Sequence, residues 1–192
     1  GAFTINYNLS AGDVYLLEAV GGQYVNEISQ VAETLTSPMR VVFVASGLEK
    51  QFSISAISEL VALELEKSSQ SQKWSAGSVA TASALVNNAI GMDSNFGQKF
   101  VDLATVVPGD IQGISDEQVA YSFQVGVFAG LLHELRLRNP GISLSGVLQN
   151  FHDLVLGGDQ DESLPVAYLS GLKRKIKKVP VLAGGKSAIY AS

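Results

Sequence analysis

The sequence contains no cysteine. This absence excludes disulfide bonds, zinc sites built on thiolates and thiol nucleophiles. The fold must therefore be held together by packing and hydrogen bonds alone, and the redox state of the compartment is left open.

Charged side chains are also scarce. They make up 16% of the 192 residues, against roughly 25% in typical soluble domains. Hydrophobic residues make up 46%, which is typical of a globular rather than a disordered chain. A chain of this length can bury about 70% of its unfolded surface. We therefore expect a single domain over 1–192, with a compact core at about 10–157 and a weaker basic helix and flexible tail at 158–192.

The net charge of −5 disfavours the binding of a polyanion such as a nucleic acid. The acidic body of the chain repels phosphate backbones. Cations near the C-terminus also suit the end of a helix. We predict no nucleic-acid partner, although six of the 13 basic residues cluster late in the chain, at Lys173, Arg174, Lys175, Lys177, Lys178 and Lys186.

Long apolar runs are missing as well. The sequence has no uninterrupted apolar stretch of the length that crosses a membrane, and no basic and then apolar leader opens it. We therefore predict neither a membrane span nor a signal peptide. The start at Gly1 rather than at Met suggests a fragment of a longer protein.

Apolar residues near the N-terminus recur at roughly helical spacing. Ser10 followed by Asp13 resembles a capping box, which indicates a helix start. Gly21-Gly22 interrupts the pattern, so the segment is predicted to be one kinked helix or two. The residues that carry this spacing are Val14, Leu17, Val20, Val25, Ile28, Val31 and Leu35.

The run MRVVFVAS at 39–46 has two interpretations. Its β-branched residues favour a strand. Ser37-Pro38 before it and Gly47 after it are typical helix boundaries. We predict a short buried helix.

Helix boundaries are clearer in the rest of the chain. Ser115 with Gln118 forms a capping box at the start of a long helix that ends at Asn139. Other starts fall at Ser75, at Asp93 or Ser94, and at Ser143 or Ser145. Helices are therefore predicted at about 54–65, 75–90, 94–107, 115–139 and 143–157, with a last, weaker one within 159–180.

No succession of period-two strands and no internal repeat is visible. The sequence thus predicts an all-α fold, a single globular bundle of about six to eight mostly antiparallel helices with irregular N- and C-terminal tails.

The segment AGGKS at 183–187 resembles the end of a phosphate-binding loop. That loop needs a glycine five positions before its second glycine, and here the position holds Pro180. Too few residues follow Ser187 to form the helix that completes such a site. We interpret the segment as a Gly- and Ser-containing connector.

The two histidines each precede a carboxylate, as His133-Glu134 and His152-Asp153. Their spacing matches no standard metal-ligand pattern, and neighbours on a helix point about 100° apart. The default interpretation is a pair of partly exposed helix residues that could still respond to acid.

Other carboxylates lie in polar stretches where solvation explains them. No nucleophile elbow accompanies the serines. We predict no enzymatic activity, no catalytic, cofactor-binding or metal-binding residue, no cofactor and no small-molecule substrate. The carboxylates concerned are Glu64, Glu66, Asp159, Asp161 and Glu162.

Three segments carry a family resemblance. They are EISQVAETLTSPMRVVFVASGLEKQF at 27–52, ALVNNAIGMDSNFGQKFVDLATVVPGD at 84–110 and VAYSFQVGVFAGLLHELRLRNPGISLSGVLQNF at 119–151. In this order they resemble the repetitive helical unit of spider silk proteins, the spidroins of aciniform, pyriform or tubuliform type. The resemblance covers about residues 27 to 156. In that family a long helix that begins near an Ala-Tyr pair passes through an Asn-containing loop into a final helix.

The resemblance implies a structural function. The chain would be a repeat unit of a silk-like fibre protein, secreted into a gland lumen and then incorporated into a fibre, with neighbouring units as its partners. Units of this kind are soluble and helical in storage, and they self-assemble and partly convert to β-sheet on fibre formation. Segments such as RVVFVAS and AYSFQVGVFAG are rich in β-branched and aromatic residues, so they could pair as strands once unfolded.

A second interpretation is a helical protein–protein interaction module or a viral or phage structural protein, in which a groove between helices receives a partner chain. It predicts a coherent exposed apolar patch. A third is an all-helical enzyme, which predicts a pocket with convergent ionisable groups.

Overall fold

The N-terminal part of the chain forms strands, not the helices predicted for it. The structure is a computed structural model, and it describes residues 7–25, 31–46, 52–68, 73–90 and 113–157. Within these ranges the chain has two small antiparallel sheets and four α-helices. The prediction of an all-α bundle of six to eight helices is therefore wrong. The helices predicted at 94–107 and 159–180 lie outside the described residues.

The first sheet pairs two strands that are distant in sequence. Strand β1 is Val14–Ala19 and strand β4 is Met39–Val44. They run antiparallel, with Val14 opposite Val44 and Ala19 opposite Met39. The turn before β1 depends on Gly12, whose φ of 88° lies in the left-handed region that favours glycine.

The second sheet is a short hairpin of β2 (Gln23–Val25) and β3 (Ala32–Thr34). The chain reaches it through Gly21 and Gly22, with φ values of 68° and 82°. A helix does not accept two successive residues in this region. The prediction of one kinked helix or two from Ser10 to Leu35 is therefore wrong in the described residues of that span, where these glycines lie between β1 and β2.

Strand β4 also replaces a predicted short helix. Its neighbouring residues Val41 and Val42 are 2% and 8% exposed. Successive side chains of a strand point to opposite faces, so both faces are covered. A continuous run of β-branched residues suits such a strand, and this preference outweighs the boundary signals of Ser37-Pro38.

Three of the four described helices begin at predicted serines, Ser75, Ser115 and Ser143, and α1 begins after Ser55. Ser115 and Gln118 form the capping box that the sequence indicates. Reciprocal hydrogen bonds of the same kind join Ser55 to Ser58 and Ser75 to Ser78. Each hydroxyl satisfies a backbone N–H that the first helical turn leaves without a partner. The helices are α1 (Ala56–Ser68), α2 (Ala76–Ile90), α3 (Asp116–Arg138) and α4 (Leu144–His152), the last continued by a π-helical turn at Asp153–Gly157.

One hydrophobic core joins the helices to β4. Helix α1 lies against β4, α2 and α4, and α3 packs on α1 and α4. The rings of Phe128 on α3 and Phe151 on α4 meet edge to face, with centroids 5.1 Å apart. None of the helices that the structure describes has the length and apolarity that crossing a membrane requires.

A buried ion pair attaches β4 to α1. The Arg40 Nη2 atom lies 2.7 Å from Glu59 Oε1, and Arg40 also contacts Glu66. Hydrogen bonds that the Arg40 guanidinium donates to Glu59, and also to Glu66, raise its pKa above the ordinary value, and burial opposes this rise. The Arg40 backbone N–H donates to Glu59 Oε2 at 2.8 Å, and its carbonyl accepts from Ser58 Oγ at 2.7 Å. Side chains of α1 therefore complete the backbone bonding of β4.

We expect Arg40→Ala to lower the free energy of unfolding by about 3 to 5 kcal/mol, because it leaves the Glu59 carboxylate buried without its cation. Urea unfolding measures this loss. The control is Arg138→Ala, whose exposed pair with Glu134 spans 3.9 Å and should contribute at most about 1 kcal/mol. Equal losses in the two variants would contradict the role given to Arg40.

Candidate functional site

The first candidate site is a buried histidine between two carboxylates. His152, the last residue of α4, is fully buried. Its Nε2 atom lies 3.0 Å from Glu64 Oε2 on α1, and its Nδ1 atom lies 3.1 Å from Asp153 Oδ1. Each ring nitrogen therefore faces a carboxylate oxygen, which accepts a hydrogen bond from that nitrogen when it carries a proton.

Asp153 connects the histidine to the surface. Its carboxylate also accepts from Gln149 Nε2 at 3.0 Å, and it lies 3.8 Å from Lys67 Nζ. Burial opposes ionisation of Asp153, but the hydrogen bonds from His152 and Gln149 outweigh it and lower the pKa of the carboxyl. The cluster of Glu64, His152, Asp153 and Lys67 therefore joins α1 to the end of α4.

In this arrangement Glu64 and Asp153 engage both ring nitrogens of His152. Each nitrogen of His152 is already engaged by an oxygen, so neither offers a lone pair to a metal ion. Among the residues that the structure describes, no group of three or more histidines and carboxylates could hold a metal.

The structure does not bring the two histidines together. His133 lies on α3 and is half-buried, and Glu134 beside it is exposed. The default interpretation, partly exposed helix residues, fits His133 but is wrong for His152. The prediction that solvation explains Glu64 is also wrong, because this residue is 9% exposed. Asp159, Asp161, Glu162 and the segment AGGKS lie outside the described residues.

The sequence held a signal for this pair. Glu64 follows Leu60 by four positions and Val61 by three, which places it on the apolar face of α1. His152 follows Leu148 by four positions on the apolar face of α4. An ionisable residue at a buried helix position requires a partner. A contact between Glu64 and His152 could therefore have been predicted from the sequence.

A second polar cluster attaches the β2–β3 hairpin to α3. The Tyr24 hydroxyl donates to Glu33 Oε2 at 3.0 Å, and Arg136 Nη1 donates to the same oxygen at 2.7 Å. Burial and the neighbouring Glu33 raise the pKa of Tyr24. The cavity beside this cluster has a volume of about 70 Å³, whereas ligand pockets have roughly 300 to 1,000 Å³. It has room for a few water molecules.

The outer edge of β1 is the third candidate. The Ala45 N–H donates to the Asp13 carbonyl at 2.9 Å, so the odd-numbered residues of β1 direct their backbone groups toward β4. The backbone groups of Val14, Leu16 and Glu18 consequently point away from β4. No partner for them occurs in the part of the chain that the structure describes.

Side chains along this edge are partly apolar. Leu16, at its centre, is 40% exposed. The side chains of Leu16 and Glu18 lie on the same face as Val42 and Arg40 of β4, the face that α1 covers. An open edge with an exposed apolar residue is a template for pairing with another strand.

Comparisons of the chain with protein-family models, with curated proteins and with solved structures gave no match.

We expect His152→Leu to lower the free energy of unfolding by about 2 to 4 kcal/mol, because Glu64 then stays buried without its donor. Chemical denaturation measures the loss. His133→Leu, at a half-buried position on α3, is the matched control and should change stability by less than about 1 kcal/mol. The assignment is wrong if both variants behave alike.

The lowered pKa of Asp153 predicts an acid-dependent contribution to stability. A carboxyl with a depressed pKa in the folded state stabilises the fold above its unfolded pKa of about 3.9, and this contribution is lost as the pH falls through the folded value. In Asp153→Asn, stability should fall less steeply below about pH 4 than in the wild type. Thermal unfolding between pH 6 and 2 measures the slopes, with Asp13→Asn, at an exposed turn, as the control. Parallel curves for Asp153→Asn and the wild type would exclude this linkage.

Proposed function

We propose that the chain is a structural unit that associates with further copies of itself, and that the assembly it builds is a silk-like extracellular fibre. The open edge of β1, with Leu16 at its centre, is the observation that carries this proposal. The chain acts by folding and association and is not an enzyme. No nucleic acid, membrane, cofactor or small-molecule substrate takes part.

The internal pairing of the charges supports a structural role. Arg40, His152 and Arg136 each bind a carboxylate of another element. Such pairs fix how the elements pack but leave no convergent ionisable groups for a substrate in these three clusters. In contrast, the exposed edge of β1 has backbone groups that can still bond to another strand.

In the C-terminal half of the chain, the family resemblance supports the proposal of a silk-like fibre. Helix α3 contains Ala120-Tyr121 near its start, and the chain passes through Asn139 into α4. This order corresponds to the long helix, Asn-containing loop and final helix of the spidroin unit. The N-terminal part differs from that unit, because 39–44 is a strand and not a short helix.

Partial conversion to β-sheet belongs to the same proposal. RVVFVAS needs no conversion, since most of it already forms β4. AYSFQVGVFAG lies in α3 and carries no charged residue, so its β-branched and aromatic residues could pair as strands once α3 is pulled from the core. Self-pairing at β1 would then provide the first intermolecular sheet.

Concentration and shear test the proposal. We expect the purified chain to pass from monomer to oligomer between micromolar and millimolar concentration in sedimentation experiments. Extrusion of the concentrated solution, from pH 7.5 to 5.5, should shift the amide I band from helix toward sheet. A chain that stays monomeric and helical under both treatments would refute homotypic assembly.

The second interpretation, an interaction module for another protein, uses the same open edge. A partner of that kind would add its own strand to β1. It gains support only if the chain stays monomeric alone and a heterologous peptide protects the β1 amides from exchange.

A further inference from the structure

The open edge of β1 has a self-complementary pattern. Its outward backbone groups belong to Val14, Leu16 and Glu18, three alternate residues. Paired antiparallel with an identical strand, they bond fully in one register only, in which Leu16 lies opposite Leu16 of the second copy and Val14 lies opposite Glu18. Registers shifted along the strand align at most two of the three.

We propose that β1 pairs antiparallel with β1 of a second copy about a two-fold axis at Leu16, giving a four-stranded sheet in the order β4–β1–β1–β4. This inference rests on the proposed homotypic association and names its contact. A two-fold contact is closed, so each unit pairs with one other unit through this edge, and that unit can belong to a different chain. Tandem units cross-linked in this way give a network.

Charge selects this pairing over its rivals. In the proposed register the two Glu18 side chains lie about 14 Å apart along the sheet, beyond the Debye length of about 8 Å at physiological ionic strength. Parallel pairing, or antiparallel pairing centred on Glu18, would place the two carboxylates side by side, which is destabilising. The sequence of β1 therefore favours one orientation.

Burial favours it too. Leu16 is 40% exposed in the single chain, and the proposed axis brings two such side chains into contact on the face beside α1. The opposite edge of the sheet is not available in the same way, because Ser58 and Glu59 of α1 bond the backbone of Arg40. A second copy is thus the occupant that both the apolar centre and the charge pattern of β1 fit.

The absence of cysteine allows a direct test by disulfide cross-linking. Hydrogen-bonded antiparallel pairs have Cα atoms about 5.5 Å apart, within the range of about 4.4 to 6.8 Å that a disulfide spans. Under mild oxidation Leu16→Cys should form a covalent dimer. Val14→Cys and Glu18→Cys should each stay monomeric alone, because equal positions are about 14 Å apart, but an equimolar mixture of the two should cross-link.

A separate variant controls for random collision. Leu137→Cys, on α3 and 62% exposed, reports collisional cross-linking. Cross-linking of all three edge variants alone would indicate parallel pairing and overturn the proposed register. Failure of Leu16→Cys to cross-link, at concentrations where the wild type is dimeric, would overturn the contact.

A charge variant gives an independent readout. Leu16→Lys places two cations opposite each other. In sedimentation experiments this variant should self-associate about tenfold more weakly than the wild type, whereas Leu137→Lys should associate like the wild type. An equimolar mixture of Leu16→Lys and Leu16→Glu should regain association, since opposite charges then meet at the axis. Unchanged association in Leu16→Lys overturns the β1 contact but leaves homotypic assembly intact, whereas a monomeric wild type overturns both.

Discussion

The pairing of Arg40 with Glu59 is the interaction on which the arrangement of the described elements depends. Both side chains are largely withdrawn from water, and a buried charge is tolerated only with a partner of opposite sign. The pair sets the position of β4 along α1, and the same carboxylate completes the backbone bonding of the strand. Two further pairs attach other elements: His152 with Glu64 joins α4 to α1, and Arg136 with Glu33 joins α3 to the β2–β3 hairpin.

One consequence of this attachment is an asymmetric sheet. Helix α1 bonds the backbone of β4 at Arg40, so the available edge of this sheet is that of β1. There the alternate residues Val14, Leu16 and Glu18 combine free backbone groups, an exposed apolar centre and one charge. Proteins that avoid association protect such edges with lysine, proline or bulges. The exposed Leu16 is consistent with an edge that is used.

Local signals predicted the helices but not the sheets. Serine caps and apolar spacing located α1 to α4, because both act within a few residues. The spacing of Val14 and Leu17 is typical of a helix face, and the segment forms a strand because it pairs with Val44 and Val41, which lie far along the chain. The buried Glu64 and His152, in contrast, could have been predicted, since each sits at an i+4 position on an apolar helix face.

Amide hydrogen exchange along β1, measured by NMR as a function of protein concentration, tests the central claim most directly. In dilute solution the amides of Tyr15 and Leu17, which face β4, should be protected, while those of Leu16 and Glu18 exchange freely. Association should then protect Leu16 and Glu18 as well. Protection of all four amides in the monomer, or free exchange at Leu16 and Glu18 in the associated state, would contradict an open edge that joins copies of the chain.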